Sequence, residues 1–349
     1  AIAYALTVPR RPGIDDDGPS WVELHVIGPD GRDRVSVGGE VEVSEIGFSP
    51  DGSTNTYLAK RNGDDHKALW PSPRDGGESR RVVSFETEIT DYRLSPDGRT
   101  AAFVAAEPIG ADRVEAQEKG NSQEIFEEDW LPKKVWLKPV HRVGSADRTI
   151  PAPGEAADEE ARPLSIEGSV FHVRWSPDGK ALAVDIAPTP LIDDRYMARR
   201  IHIVDADSGE IRTAFAGMGK LGDFDFSPDG TLIAAISAAE PSDPAEGRLV
   251  VAPTTGGPFR DVLPGLEGHV TAFAWQDPGT LMYLSDEGEE TRFGEVDVST
   301  GTTTTHAMSG PSESGSRVPI MTGFSLAGDG QKAALIGDTP THPAEVYVM

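Results

Sequence analysis

The sequence has 349 residues and no cysteine, and only 9 of its 32 basic residues are lysine. Without cysteine there can be no disulfide framework, zinc-thiolate site or thiol nucleophile. The formal net charge is −26. Nucleic acid and anionic membranes both need clustered Lys and Arg, so neither is expected as a partner. Such a surface favours solubility at high concentration or salt and names no ligand. Long apolar runs are also missing. Stretches such as 101–106 and 232–236 are too short to cross a bilayer. An acidic, cysteine-free chain fits cytosol, periplasm or a saline exterior alike, so the compartment stays open.

Turn-formers are abundant, with 38 Gly and 28 Pro, far more than a helical bundle tolerates. They are also periodic. Ser-Pro-Asp-Gly occurs at 49–52, 95–98, 176–179 and 227–230. Degenerate copies follow as Gln-Asp-Pro-Gly at 276–279 and Ala-Gly-Asp-Gly at 327–330. Their spacing is about 50 residues, with one interval of about 80 that carries an insertion, near the period of a four-stranded blade.

Each copy has the same neighbours. Large apolar residues alternate before it, as in Phe171, Val173 and Trp175, or Phe224 and Phe226. That is the period of a half-buried strand. Pro presets φ, Asp bonds its own backbone and Gly accepts a positive φ, so a tight turn follows. A second apolar strand comes next, for example 101–104 or 232–236. Further along, a third strand runs into a Gly-centred turn and a short fourth strand, such as 80–85 or 210–215. Units of this kind bury their faces only against neighbours, and radial repetition hides their edges.

The expected fold is therefore all-β, a seven-bladed β-propeller of four-stranded antiparallel blades with the first and last incomplete. Blades are expected at about 1–40, 41–86, 87–167, 168–217, 218–264, 265–310 and 311–349. Residues 1–8 have the pattern of a second strand whose inner neighbour would precede Ala1, and 345–349 that of a third strand. These features, with no opening Met or basic leader, give the expectation of a piece of a longer polypeptide.

The Ser-Pro-Asp-Gly propeller resembles the N-terminal domain of the prolyl oligopeptidase family of serine peptidases, most closely the acylaminoacyl-peptidase and dipeptidyl-peptidase-like branches. The insertion 117–130, Gln-Glu-Lys-Gly-Asn-Ser-Gln-Glu-Ile-Phe-Glu-Glu-Asp-Trp, is similar to a segment preceding a third strand in those peptidases, here 134–137. The stretch 340–348 is similar to their last propeller strand. Periplasmic TolB-like propellers share the turn motif. The resemblance implies a propeller that caps an α/β-hydrolase domain and gates peptide access to a buried Ser-Asp-His triad. That catalytic domain is absent from this chain: no Ser has Gly two residues away on both sides, and no βαβ alternation is present. The eight His residues (25, 66, 141, 172, 202, 269, 306 and 342) form no H-E-x-x-H and no i, i+4 pair. No cofactor or metal is expected, and the chain alone should not hydrolyse peptides.

The candidate site residues are Glu127, Glu128 and Asp129. Carboxylates on a blade insertion could bind a peptide's N-terminal ammonium. They equally fit the solvated acidic end of a short helix over about 113–128, beside Lys133 and Lys134. Asp51, Asp97, Asp178 and Asp229 recur one per blade. Calcium needs six to eight converging oxygens, so turn chemistry is the better account. Two long loops, 144–162 and 188–200, could line a tunnel or a domain interface. Trp175 and Trp275 occupy matching repeat positions and read as blade-packing residues. Two functions from different classes remain: a gating propeller acting on peptide substrates with a hydrolase domain, or a freestanding propeller that docks a protein partner or a second copy.

Overall fold

The computed structural model describes residues 1–74, 76–141, 143, 160–217, 219–311 and 317–349. The fold is a seven-bladed β-propeller of antiparallel sheets in chain order. Blade one holds β1 (Ile2–Val8), β2 (Trp21–Ile27) and β3 (Asp33–Val37). Blade two holds β4 (Ser44–Phe48), β5 (Thr54–Ala59) and β6 (Ala68–Pro73). Blade three holds β7 (Ile89–Leu94), β8 (Thr100–Ala106), β9 (Lys133–Pro139) and β10 (Arg162–Pro163), with helix α1 (Ala111–Glu118) inserted between β8 and β9. Blade four comprises β11 (Ser169–Trp175), β12 (Ala181–Ala187), β13 (Arg200–Asp205) and β14 (Ile211–Ala214). Blade five comprises β15 (Leu221–Phe226), β16 (Leu232–Ala238), β17 (Gly247–Pro253) and β18 (Arg260–Asp261). Blade six comprises β19 (His269–Asp277), β20 (Thr280–Glu287), β21 (Glu290–Asp297) and β22 (Thr303–Met308). A two-stranded ladder, β23 (Gly310–Pro311) with β24 (Arg317–Val318), precedes blade seven, formed by β25 (Ile320–Leu326), β26 (Ala333–Thr339) and β27 (His342–Val348).

Packing divides the chain into two compact units. The first is Ala1–Trp175 with Thr189–Leu191 and Ala206–Gly209, and the second is Ser176–Pro188, Ile192–Asp205 and Glu210–Met349. Within each, the apolar core lies between successive blades. In the first unit Leu24, Tyr57 and Trp70 pack between blades one and two, and Leu58, Phe103 and Trp136 between blades two and three. In the second, Ile201, Phe224, Ile233 and Ala235 form one cluster, and Ala234, Ile236, Leu281 and Tyr283 the next. Met282, Leu284, Phe293 and Leu335 form a third. Alternate residues of β16 and of β20 thus enter different cores. β8, β12 and β16 are covered on both faces, so they read as nearly continuous runs of small apolar residues.

The repeated turn closes the same way each time. At 95–98, Ser95 Oγ and the Arg99 N–H both donate to Asp97 Oδ1, at 2.7 and 3.0 Å. The Gly98 N–H donates to the Ser95 carbonyl at 2.8 Å, and the Thr100 N–H to Ser95 Oγ at 2.9 Å. Ser49 with Asp51, Ser176 with Asp178 and Ser227 with Asp229 repeat the hydroxyl–carboxylate bond. Gly98 has φ +71°, a region that penalises any Cβ. In the degenerate copy at 327–330 the backbone bond survives, from the Gly330 N–H to the Ala327 carbonyl, without the serine.

Three details differ from expectation. Residues 80–85 do not form a fourth strand in blade two; an isolated bridge joins Leu69 to Val83. The Val82 and Val83 N–H groups both point to the Leu69 carbonyl, so this segment meets the sheet edge at one point instead of running along it. Nor does the helix of the insertion reach residue 128. Gly120, at φ +83°, ends it: its N–H bonds the Gln117 carbonyl and the Asn121 N–H bonds the Ala116 carbonyl, a Schellman cap. The loop at 188–200 contains a π-helical turn, Asp194–Ala198. The loop at 144–162 lies outside the described residues except for its last three.

Candidate functional site

Three polar constellations in the first unit combine chemistry-bearing side chains. The first lies on the first strands of consecutive blades. Asp91 on β7 is 1% exposed. Its Oδ2 accepts the Val173 N–H at 2.8 Å and stands 3.4 Å from Arg174 Nη1 on β11. Its Oδ1 accepts Arg93 Nη1 at 2.9 Å, and Arg93 Nη1 lies 3.8 Å from Glu45 Oε2 on β4. The result is a run of alternating charge, Glu45–Arg93–Asp91–Arg174, across three strands. A buried carboxylate is tolerated only when its lone pairs are used, and here cations and a backbone N–H use them. Glu45 adopts φ +48°, unusual for a residue with a side chain. The group joins neighbouring first strands, and its buried carboxylate is already committed to two arginines and a backbone N–H.

The second constellation surrounds His25, which is buried in β2. Its Nδ1 lies 3.1 Å from Asp33 Oδ2 and its Nε2 3.2 Å from Glu23 Oε2. The Tyr4 hydroxyl donates to the same Asp33 Oδ2 at 2.9 Å. Burial first, then the bond to Asp33 and its charge, push the Tyr4 phenol up to about 12. Glu23 is held below its ordinary value by the Gly39 N–H and then by His25. A His between two carboxylates suggests acid–base work, but both its ring nitrogens are taken by those carboxylates, and the nearby Tyr4 hydroxyl already donates to Asp33. The carboxylates sit on opposite ring nitrogens, so they cannot converge on one ion. Among the described residues no cluster of His, Asp and Glu is arranged to hold a metal. No helix among them is long and apolar enough to cross a membrane.

The third is the insertion. Glu127, Glu128 and Asp129 all lie exposed on a turn after α1. They do not act as one group. Asp129 Oδ2 accepts the Ile125 N–H at 2.8 Å and stands 3.5 Å from Arg113 Nη2 on α1. Arg113 Nη2 is also 3.9 Å from Glu124 Oε1. Asp129 therefore fastens the turn, whereas Glu127, at φ +58°, is its strained apex. The nearby lysines are engaged elsewhere. Lys134 Nζ donates to the Ile166 and Gly168 carbonyls at 2.6 and 3.2 Å, and Lys133 Nζ sits 5.6 Å from the Phe171 ring centre.

Sequence reasoning missed Asp91, Arg174 and the apolar residues of the insertion. Asp91 gives no local signal, because its partner strand lies 82 residues later. Phe126 could have been found, as a large aromatic residue inside an acidic stretch of an insertion.

No family model matches the chain. Among curated proteins, lipoprotein LpqB of Nocardia farcinica is 29% identical over 148 residues, 40% of this chain and 24% of LpqB. Among solved structures, an acylaminoacyl peptidase of Pyrococcus horikoshii superposes with a TM-score of 0.64 at 16% identity, covering 99% of this chain and 49% of the peptidase. A TolB structure from Agrobacterium tumefaciens gives a TM-score of 0.51 at 17% identity, covering 80% of this chain and 85% of TolB. The chain thus spans about a quarter of LpqB and about half of the peptidase. At such identities the likeness to solved structures establishes the fold alone, a β-propeller, which peptidases and TolB share.

Proposed function

We propose that the chain is the non-catalytic propeller of a prolyl-oligopeptidase-family serine peptidase, capping an α/β-hydrolase domain and limiting which peptides enter. One observation carries this reading: the match to the peptidase uses 99% of this chain but only 49% of the peptidase, a propeller-sized half. The sequence supplies no G-x-S-x-G elbow of its own, so the nucleophile would belong to the other half. In this reading Glu127 and Glu128 are the carboxylates open to a peptide's ammonium, with Asp129 holding their turn in place.

A second reading is favoured by the TolB match, which covers 85% of that protein, and by LpqB. It is a freestanding propeller that docks a protein partner without peptidase chemistry. The gene decides between them. About 250 residues beyond Met349 that contain G-x-S-x-G followed by Asp and His support the first. A stop codon there supports the second. The chain alone is expected to leave chromogenic acyl-peptides intact. Turnover abolished by a serine-directed inhibitor would overturn both readings.

A further inference from the structure

The insertion between β8 and β9 is built at a cost the core does not repay. Helix α1 contains no buried residue, and no residue of 107–132 is buried. A helix of eight residues is marginal in water on its own. This one is held by its Schellman cap, by the Glu115–Lys119 ion pair and by Arg113 reaching Asp129. The ordered scaffold displays apolar side chains to solvent. Phe126 is 85% exposed, Ile125 57%, and Val114 and Trp130 38% each. Apolar side chains grouped on one protrusion mark a surface that something covers.

Charge selects the occupant. The stretch from 111 to 130 holds seven acidic and two basic residues. A second copy would meet the same acidic stretch on a chain of net charge −26, and an anionic bilayer would be repelled. We infer that the Ile125–Phe126 tip docks a partner-protein segment whose apolar side chains are flanked by lysine or arginine. The apolar contacts would supply affinity, and the surrounding carboxylates orientation and on-rate. This does not depend on a peptidase connection, because it needs cationic side chains and no free peptide amine.

The test uses the full chain and an N-acetylated, C-amidated twelve-residue peptide of alternating lysine and leucine pairs, followed by calorimetry. Binding is expected, weakening with salt. Phe126→Ala should reduce it about tenfold or more, while far-UV melting stays at the wild-type temperature. Glu127→Gln with Glu128→Gln should weaken binding and flatten its salt dependence. The same peptide with glutamate for lysine should not bind. Wild-type affinity in Phe126→Ala overturns the inference, as does binding only when the peptide's amine is left free, the result that the ammonium reading requires. Phe126-dependent dimerisation in sedimentation, or Phe126-dependent binding to phosphatidylcholine vesicles, would also overturn it.

Discussion

The Trp175 indole donates its Nε1–H to the Arg93 carbonyl oxygen, 3.0 Å away and 82 positions earlier in the chain. Trp175 stands one residue before its turn and Arg93 two before its own, and Trp275 with Asp225 repeats both steps and the bond, at 3.3 Å. The two indoles are tethers between first strands of consecutive blades, and Trp275 also packs against an apolar cluster. Trp175→Phe should cost about 1 kcal/mol in urea unfolding, the value of one hydrogen bond, because the ring contacts persist. Trp175→Ala should cost about 3 kcal/mol.

Asp91 is a more demanding test. Replacing it with Ala strands the Val173 N–H and leaves Arg93 and Arg174 facing each other without their shared anion. About 3 to 5 kcal/mol of destabilisation is expected, as for other broken buried ion pairs. Asp91→Asn keeps an acceptor for Val173 and should lose less. Equal losses in chemical denaturation would show that the charge matters and the backbone bond does not.

Much of the fold was readable because its information is local. Pro, Asp and Gly declare a turn within four residues, and copying that turn at blade spacing declares the repeat. What could not be read depends on partners distant in the chain. Nothing near Asp91 foretells the Val173 N–H, and nothing at Val83 shows that it would touch Leu69 only once. The early end of α1 is an intermediate case: Lys119-Gly120-Asn121 is a legible stop signal, overridden in reading by the acidic run beyond it. The candidate carboxylates lie together on the insertion in sequence, but their division into one clamp and two open groups needed coordinates.

Acid should loosen the turns. Asp97, Asp178 and Asp229 are each held below the ordinary carboxylate range, chiefly by the serine hydroxyl and then by a backbone N–H.

 Because folding lowers these values, the carboxylates contribute their full stabilisation above the unfolded value of about 4 and lose it as pH falls through the folded values. Melting temperature should therefore hold steady from neutral pH down to about 5 and then drop. A variant with all three replaced by Asn should melt lower at neutral pH and show a shallower acid limb. An unchanged acid limb would assign acid unfolding to other carboxylates.

Gly98 supplies a backbone test of the same motif. Its φ of +71° lies in the left-handed region, so Gly98→Ala should cost about 1 to 2 kcal/mol through strain alone. Gly98→Asn should recover part of that loss, since Asn tolerates this conformation better than Ala. Thermal melts of the two variants side by side check the order.

Strand β16 shows what the tetrapeptide is for. Ile233 and Ala235 serve one core and Ala234 and Ile236 the next, so a slip of one residue would exchange one greasy face for another. Polarity cannot object to such an error, because no water-facing side is available to reject an apolar group. The phase of the hairpin must be set at its end, where Ser227 grips both Asp229 and the Leu232 N–H. Sequence drift along such a strand is then free in chemistry and bound in volume: a gain on one side must be met by a loss in the blade it faces.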